Sequence, residues 1–480
     1  MALFHLMIGF FRGDDVPWMS RPNYRREMVH VLLWGLFANL VTGTFSTIVV
    51  AKTFHASAIL MPIVWATPLL ADVLSFFWGV LIRGRRRVRT FTWMAVAAAV
   101  SVASIGLTPS DWHPWGGWVF ALQLGVGRMF MSGLVTLRSS LWAANYPVTH
   151  RARIAGRIQT INILQLLVVT AGVSKLFDAY PESYRFVYPA IALVGVASLI
   201  PLRRIRVRGE RVELRRRRRA AQAANAGRAD GFAAGLRASW RDAVAILRGD
   251  RAFARYCTAQ YCLGTANFLI DPLLVLIVTT ELHFSYFQAS FLLEQLPTIL
   301  MLLSIRAWAH LFDRVGVLRF RVHNTHFWLA STVFAALGVL VFATGGAVAP
   351  RAAAGAIDAA TAAVGAAATG GSANQVAFGG AVLAAVVLLG VSRALNGAAR
   401  GGGAIAWNLG HLHFAPAGQQ DLYMGIHQAL TGVRGLLTPA LGALLYPWLG
   451  WTTFLLSTLT ASVALRMFRK MADEQDAARR

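Results

Sequence analysis

The sequence predicts an all-α membrane protein, with twelve transmembrane helices in two six-helix bundles related by a parallel pseudo-repeat. Three observations predict it. First, 56% of the 480 residues are hydrophobic and only 14% are charged, against about 25% charged in a soluble globular chain. That much apolar surface cannot be hidden in one aqueous core and belongs in a bilayer. Second, the basic residues fall on alternate loops. Third, the two halves share residues at fixed offsets.

Residues 1–23 open with the apolar run MALFHLMIGFF. No basic residue precedes it and no small-residue cleavage site follows, so it reads as a cytoplasmic, interfacial segment rather than a signal peptide. The first bundle, residues 24–202, holds spans at about 28–50, 58–82, 90–107, 117–145, 158–177 and 184–202. Between the third and fourth, Trp112 and Trp115 suit a membrane interface. Residues 203–250 form a basic cytoplasmic linker. The second bundle, residues 251–470, holds spans at about 253–280, 288–312, 322–343, 376–407, 422–446 and 451–468. Residues 345–374 are weakly polar and rich in Ala and Gly, an outer loop by composition. Residues 471–480 are a cytoplasmic tail.

Lys and Arg number 46 against 21 Asp and Glu, a net charge of +25. Their distribution matters more than their sum. The N-terminus, the 2–3, 4–5, 6–7 and 8–9 loops and the C-terminus carry nearly all of them, and the opposite loops are almost bare. The 10–11 loop departs from this, carrying histidines. The asymmetry places both termini in the cytoplasm, and the expected location is a bacterial inner (plasma) membrane. Ten arginines lie between Arg203 and Arg219. No folded or aromatic-interleaved module accompanies them, so nucleic acid is not an expected partner. The plain reading of the run is a flexible connector that fixes topology; the sharper one is salt-dependent contact with anionic inner-leaflet lipid.

Several chemistries are missing. Cys257 and Cys262 both lie in an apolar segment and read as packing residues. His411 and His413 lack a third ligand, so no metal is expected, and no cofactor. There is no phosphate loop, nucleophile elbow or His-Glu-x-x-His helix, so neither ATP-driven transport nor an enzyme is expected.

The repeat is visible residue by residue. Ala38 and Asn39 recur as Ala266 and Asn267, and His55 and Ser57 as His283 and Ser285, all 228 positions on. Gly125, Arg128 and Trp142 recur as Gly390, Arg393 and Trp407, each 265 positions on. Gly156 and Gln159 recur as Gly425 and Gln428.

The stretch Trp308–Gly316, WAHLFDRVG, resembles the loop signature Gly-x-Leu-x-Asp-Arg-x-Gly of the major facilitator superfamily of secondary transporters. Leu311, Asp313, Arg314 and Gly316 match, and Ala309 replaces the first glycine. The equivalent stretch after the second span keeps Gly79, Leu81 and a basic tail but lacks the acid. Arg128 with Ser132 and Gly133 is similar to the fourth-span signature, and Arg393 with Asn396 and Gly397 echoes it. The fifth-span antiporter signature is absent. The resemblance covers about residues 24–470. It implies alternating access around a midplane site, with a gating loop at Asp313, Arg314, Gly316 and Gly79. It also implies that Asn39, Asn267, Gln159 and Gln428 face the cavity; interhelical hydrogen bonding is the competing account.

Ionisable side chains at mid-span are costly and tend to face a cavity or each other. By position these are Asp72, Arg128, Asp271, Glu294 and Arg393. Asp72 and Arg128 lie at comparable depth and are a candidate coupling pair, or a static bridge. Asp271 precedes Pro272, where a helix can open, and Glu294 lies three residues before Pro297. The glycines around Arg400 suit close helix packing. Arg138, Arg306, Arg400 and Arg434 lie nearer the span ends, where their heads can snorkel. The expected function is secondary transport of a small-molecule substrate by a monomer, with the proton as coupling ion. A non-transporting sensor or assembly factor on a transporter fold and a membrane-embedded transferase are the alternatives.

Overall fold

The computed structural model describes residues 13, 16–41, 43–81, 85–210, 212, 214, 215, 241, 243–346, 373–416 and 420–479. The N-terminal interfacial segment before residue 13, most of the linker beyond 215 and the Ala/Gly loop at 347–372 lie outside the described residues.

Every predicted span falls on a helix, and among the described residues there is no strand. The helices are α1 (Arg21–Leu40), α2 (Gly43–Thr53), α3 (Leu60–Leu81), α4 (Arg87–Ala103), α5 (Trp115–Asn145), α6 (Val148–Ala179), α7 (Tyr184–Ala197) and α8 (Leu199–Arg203). After the linker come α9 (Arg251–Leu276), α10 (Tyr286–Ser290), α11 (Leu296–Gly346), α12 (Ala373–Leu409), α13 (Gln420–Leu449) and α14 (Thr452–Arg479). Among the described residues, eight helical segments are long and apolar enough to cross a membrane by length and composition, and α1 with α2 would make a ninth. One of the eight, Tyr286–Gly345, is 60 residues long and takes in both the eighth and the ninth predicted spans. It is not one rod: 60 residues at 1.5 Å would reach about 90 Å, three times a bilayer core of about 30 Å, but the chain turns back within it, bringing the Trp308 and Phe327 rings to 5.1 Å. α14 falls outside the eight because threonines, serines, Arg466 and Arg469 dilute its apolar character.

The sequence reading places a loop between the eighth and ninth spans. The structure makes that connection a tight turn at Gly316, with φ 72° and ψ 172°, between two helices that fold back so that Trp308 meets Phe320 and Phe327. A side chain is disfavoured at positive φ, which gives the signature's last glycine its reason. Gly316→Ala is expected to lower stability by about 1–2 kcal/mol, seen as a lower apparent melting temperature; an unchanged one would show the break to be dispensable.

The chain divides into two compact units, Met1–Gly43 with Leu70–Arg241 and Thr44–Leu69 with Asp242–Arg480. α2 and the start of α3 therefore go with the second unit, although they precede the linker in sequence. In the first unit, Tyr24, Met28 and Val31 of α1 pack against Tyr146, Ile154, Ile158 and Ile161. In the second, Phe253, Tyr256 and Leu263 of α9 pack with Tyr423 and Ile426 of α13 and with Leu465 and Phe468 of α14.

The repeat reappears as backbone geometry. Among the described residues, His55 and His283 are the non-glycine residues with positive φ, at 46° and 52°. Each closes the same turn, by Ala56 N–H to Val50 O at 3.2 Å and Phe284 N–H to Val278 O at 3.0 Å. The two turns meet in the second unit. Lys52 Nζ donates to Phe284 O at 2.7 Å, and the Thr53 and Tyr286 hydroxyls are 2.9 Å apart.

Both the start of the arginine run and the C-terminal tail are held by specific contacts. The start of the arginine run is pinned in the first unit: Asn23 Nδ2 donates to Arg206 O at 3.0 Å and Arg208 N–H to Asn145 Oδ1 at 3.2 Å. The C-terminal tail continues α14 and is clamped by Arg255–Glu474, Arg319–Asp473 and Arg319–Asp476 ion pairs, each 2.8 Å. The Arg255 guanidinium, donating to Glu474, holds that carboxyl below its ordinary value.

Candidate functional site

A bilayer core gives a charged group nothing to solvate it, so a mid-span charge must find a partner within the protein. Asp271, Glu294 and Arg393 do so in the second unit. Arg393 Nη1 contacts Asp271 Oδ1 at 2.8 Å, with side-chain exposures of 4% and 9%. Arg393 Nη2 also reaches Leu293 O at 3.5 Å. Arg400 Nη2 lies 3.9 Å from Asp271 Oδ2. Glu294 is buried and within electrostatic reach of Arg400. Two carboxylates and two guanidiniums thus form one charge-balanced cluster, three members of which the sequence singled out. The fourth, Arg400, was placed nearer the span end: its side chain is 32% exposed and still reaches Asp271 on another helix.

Local backbone irregularity opens this cluster. Pro272 sits inside α9, where its missing N–H leaves a turn unclosed. Phe291–Gln295, which carries both Leu293 O and Glu294, is a π-helical turn, and so is Ile277–Glu281 at the end of α9. Single π turns inside helices free carbonyls from the usual ladder and are frequent at functional sites. The glycines serve packing, as their composition suggested. A Cβ on Gly397 would come within 2.5 Å of Pro297 Cα, so α12 and α11 touch backbone to backbone there.

The other candidates are dispersed. Asn39 is buried and its Nδ2 donates to Asn162 O at 3.2 Å, an interhelical bond from α1 to α6. Asn267 donates to Leu263 O of its own helix at 2.9 Å. Gln159 and Gln428 are exposed. Arg128 is half-buried on α5. Asp72 and Gly79 lie on α3, but their side chains fall outside the described residues, so the Asp72–Arg128 pair is not defined. Asp313 and Arg314 are exposed just ahead of the break at Gly316, and neither forms an ion pair among the described residues.

The first unit holds a polar network that sequence reasoning missed. Glu27 of α1 is buried and accepts from Trp142 Nε1 and from Tyr146 Oη, the latter at 2.6 Å. Arg138 lies within its electrostatic reach and contacts His30 Nε2 at 3.3 Å. His30 Nδ1 in turn lies 3.1 Å from Ser198 O. The one signal in the sequence was Trp142, whose recurrence as Trp407 marked a position under constraint, but nothing there tied it to Glu27.

The same unit carries a basic groove of about 1060 Å³, lined by Arg86, Arg89, Arg203 and Arg206 together with Trp93 and Glu210. Glu210 is already engaged, accepting from Arg87 N–H at 2.7 Å. Trp93 is 65% exposed.

No family model matches the sequence, and none of the curated proteins does. Solved structures do. The nucleoside transporter NupG is 13% identical, with 95% of this chain and 99% of that one covered at a TM-score of 0.60. A bacterial homologue of the iron transporter ferroportin, in an inward-facing state, is 13% identical over 93% of this chain and 98% of its own, with a TM-score of 0.56. A D-xylose–proton symporter is 13% identical over 92% and 95%, with a TM-score of 0.55. At such identities the likeness shows the fold, an all-helical membrane fold like that of major facilitator transporters.

Proposed function

We propose that the protein is a secondary transporter that moves a small solute by alternating access, with the Asp271–Arg393–Glu294–Arg400 cluster as its coupling site. The observation that carries this reading is the cluster itself: a buried, charge-balanced set in the apolar middle of the second unit, beside Pro272 and two π turns. A static scaffold gains little from such a set, because apolar side chains of similar volume stabilise a core as well or better. A transporter gains a switch. Protonation of Asp271 or Glu294 removes a negative charge and leaves the arginines in excess; release of the proton restores the balance. That change biases which packing of the helices is favoured. A D-xylose–proton symporter and a nucleoside transporter among the similar folds support the class of activity, and leave the solute to experiment.

The test is solute-dependent proton movement into proteoliposomes, followed with an internal pH dye over a panel of nucleosides, sugars, short peptides and organic acids. The expected result is a signal for one class that is lost in Asp271→Asn. A panel that moves neither proton nor labelled solute refutes the reading and returns the protein to a non-transporting role.

We further propose that the groove between Arg86, Arg89, Arg203 and Arg206 seats an anionic inner-leaflet lipid headgroup. Four guanidiniums with an exposed tryptophan beside them match a phosphate at the membrane interface. Each basic residue near an anionic surface contributes about 1 kcal/mol. Arg89→Gln with Arg206→Gln is therefore expected to weaken binding of phosphatidylglycerol over phosphatidylcholine nanodiscs by about thirtyfold at low salt. Equal binding by the double variant would assign the arginines to topology alone.

A further inference from the structure

Two arginines outside the coupling cluster lie deep in the second unit with no carboxylate paired to them among the described residues. Arg321 of α11 is 2% exposed and Arg434 of α13 is 8% exposed. His427, two turns earlier on α13, is 4% exposed. Arg434 lies near a span end, where it could snorkel, and its guanidinium turns to the backbone of α9.

Both guanidiniums close on one residue of α9. Arg321 Nη2 donates to Gln260 Oε1, and Arg434 Nη1 donates to Gln260 O at 2.6 Å. Arg321 Nη1 also donates to Asn324 Oδ1 at 3.1 Å. The remaining neighbours are rings: Arg434 lies 4.8 Å from the centroid of Phe268 and 6.0 Å from that of Tyr261, and Arg321 lies 5.0 Å from that of Phe468. Every one of these partners is neutral. Among the described residues, neither arginine forms an ion pair, whereas Arg393 in the same unit has Asp271. The Nε of each arginine and Nε2 of His427 are buried with no hydrogen-bond partner. His427 is also within electrostatic reach of both arginines.

Buried cations set close together repel, and neutral acceptors do not balance their charge. The arrangement is therefore incomplete as it stands. The group that completes it is an anion able to accept from several planar donors at once, which is the geometry of an oxyanion facing guanidinium forks.

We infer that Arg321, Arg434 and His427 form a seat for the oxyanion of a small solute, a carboxylate or a phosphate. As a substrate class this rests on the transport reading; as a binding site it does not. Glycine at position 264 fits the same picture, since a Cβ there would occupy the space of the Arg434 guanidinium. Gln260 holds both forks in one orientation and acts as the positioning residue.

The experiment is a thermal-shift titration of the purified full chain in detergent with inorganic phosphate, sulfate, succinate and citrate. Chloride at matched pH and ionic strength is the control. At least one oxyanion is expected to raise the apparent melting temperature above the chloride control. Arg434→Gln is expected to weaken that oxyanion by about ten- to a hundredfold, the loss that follows from one charged hydrogen-bonding partner. Arg434→Lys, which keeps the charge but not the fork, should fall between the two. His427→Asn gives an independent readout if the arginine variants fail to fold, with a several-fold loss expected. The inference is overturned if no oxyanion shifts the wild-type protein beyond chloride, or if the shift persists unchanged in the variants. The two readings fail separately. A protein that binds oxyanions but moves none in proteoliposomes keeps the seat and loses transport. One that moves a neutral solute with no oxyanion shift keeps transport and loses the seat.

Discussion

Asp271→Ala lowers the stability of the protein by about 3–5 kcal/mol, the cost of leaving a buried cation without its partner. Arg393→Gln costs less, because the two members of the pair respond differently to being orphaned. A carboxylate left alone can take up a proton and become neutral, whereas an arginine stays charged. Arg400, 3.9 Å from Asp271, also remains as a partner when Arg393 is removed. The double variant Asp271→Ala, Arg393→Gln is expected to be more stable than Asp271→Ala alone, since no unpaired guanidinium is left at position 393. Apparent melting temperatures of the four proteins in one detergent form the complete double-mutant cycle. Additive losses would mean that the pair is not coupled. Transport should be lost in all three variants, including the one whose stability returns, which separates coupling from folding.

Glu27→Ala in the first unit comes next in size, at about 3 kcal/mol. It removes the acceptor for both Trp142 Nε1 and Tyr146 Oη and leaves Arg138 without its acid. Tyr146→Phe removes one donor and leaves the other, so it should cost about 1 to 2 kcal/mol. The ratio is the check. If Tyr146→Phe costs as much as Glu27→Ala, the network is held by packing of the ring rather than by the carboxylate.

The spans, their order and the repeat were legible in the sequence because they are one-dimensional signals. A helix that crosses lipid needs a long apolar run wherever it packs, so composition alone marks its position. The repeat was carried by local rules as well. His55 and His283 each close a turn at positive φ, and a turn depends on its own few residues. Gly316 was found through its signature, and its φ of 72° is again a local demand.

Partnership is different, because it depends on which helices become neighbours. The sequence could single out Asp271, Glu294 and Arg393 as expensive, but not that they would meet. It placed Arg138, Arg400 and Arg434 nearer the span ends, where a long side chain can snorkel. The structure takes all three inward, to Glu27 and His30, to Asp271 and to Gln260. Glu27 sat just before the predicted span and drew no notice until α5 brought Trp142 and Tyr146 against it. The sequence by itself thus determined that the chain is a helical membrane protein and which charges needed an explanation. Only the tertiary structure decided which charges answer one another and which meet neutral partners, because a charge in low dielectric is defined by what lies within a few ångströms, and those neighbours come from distant parts of the chain.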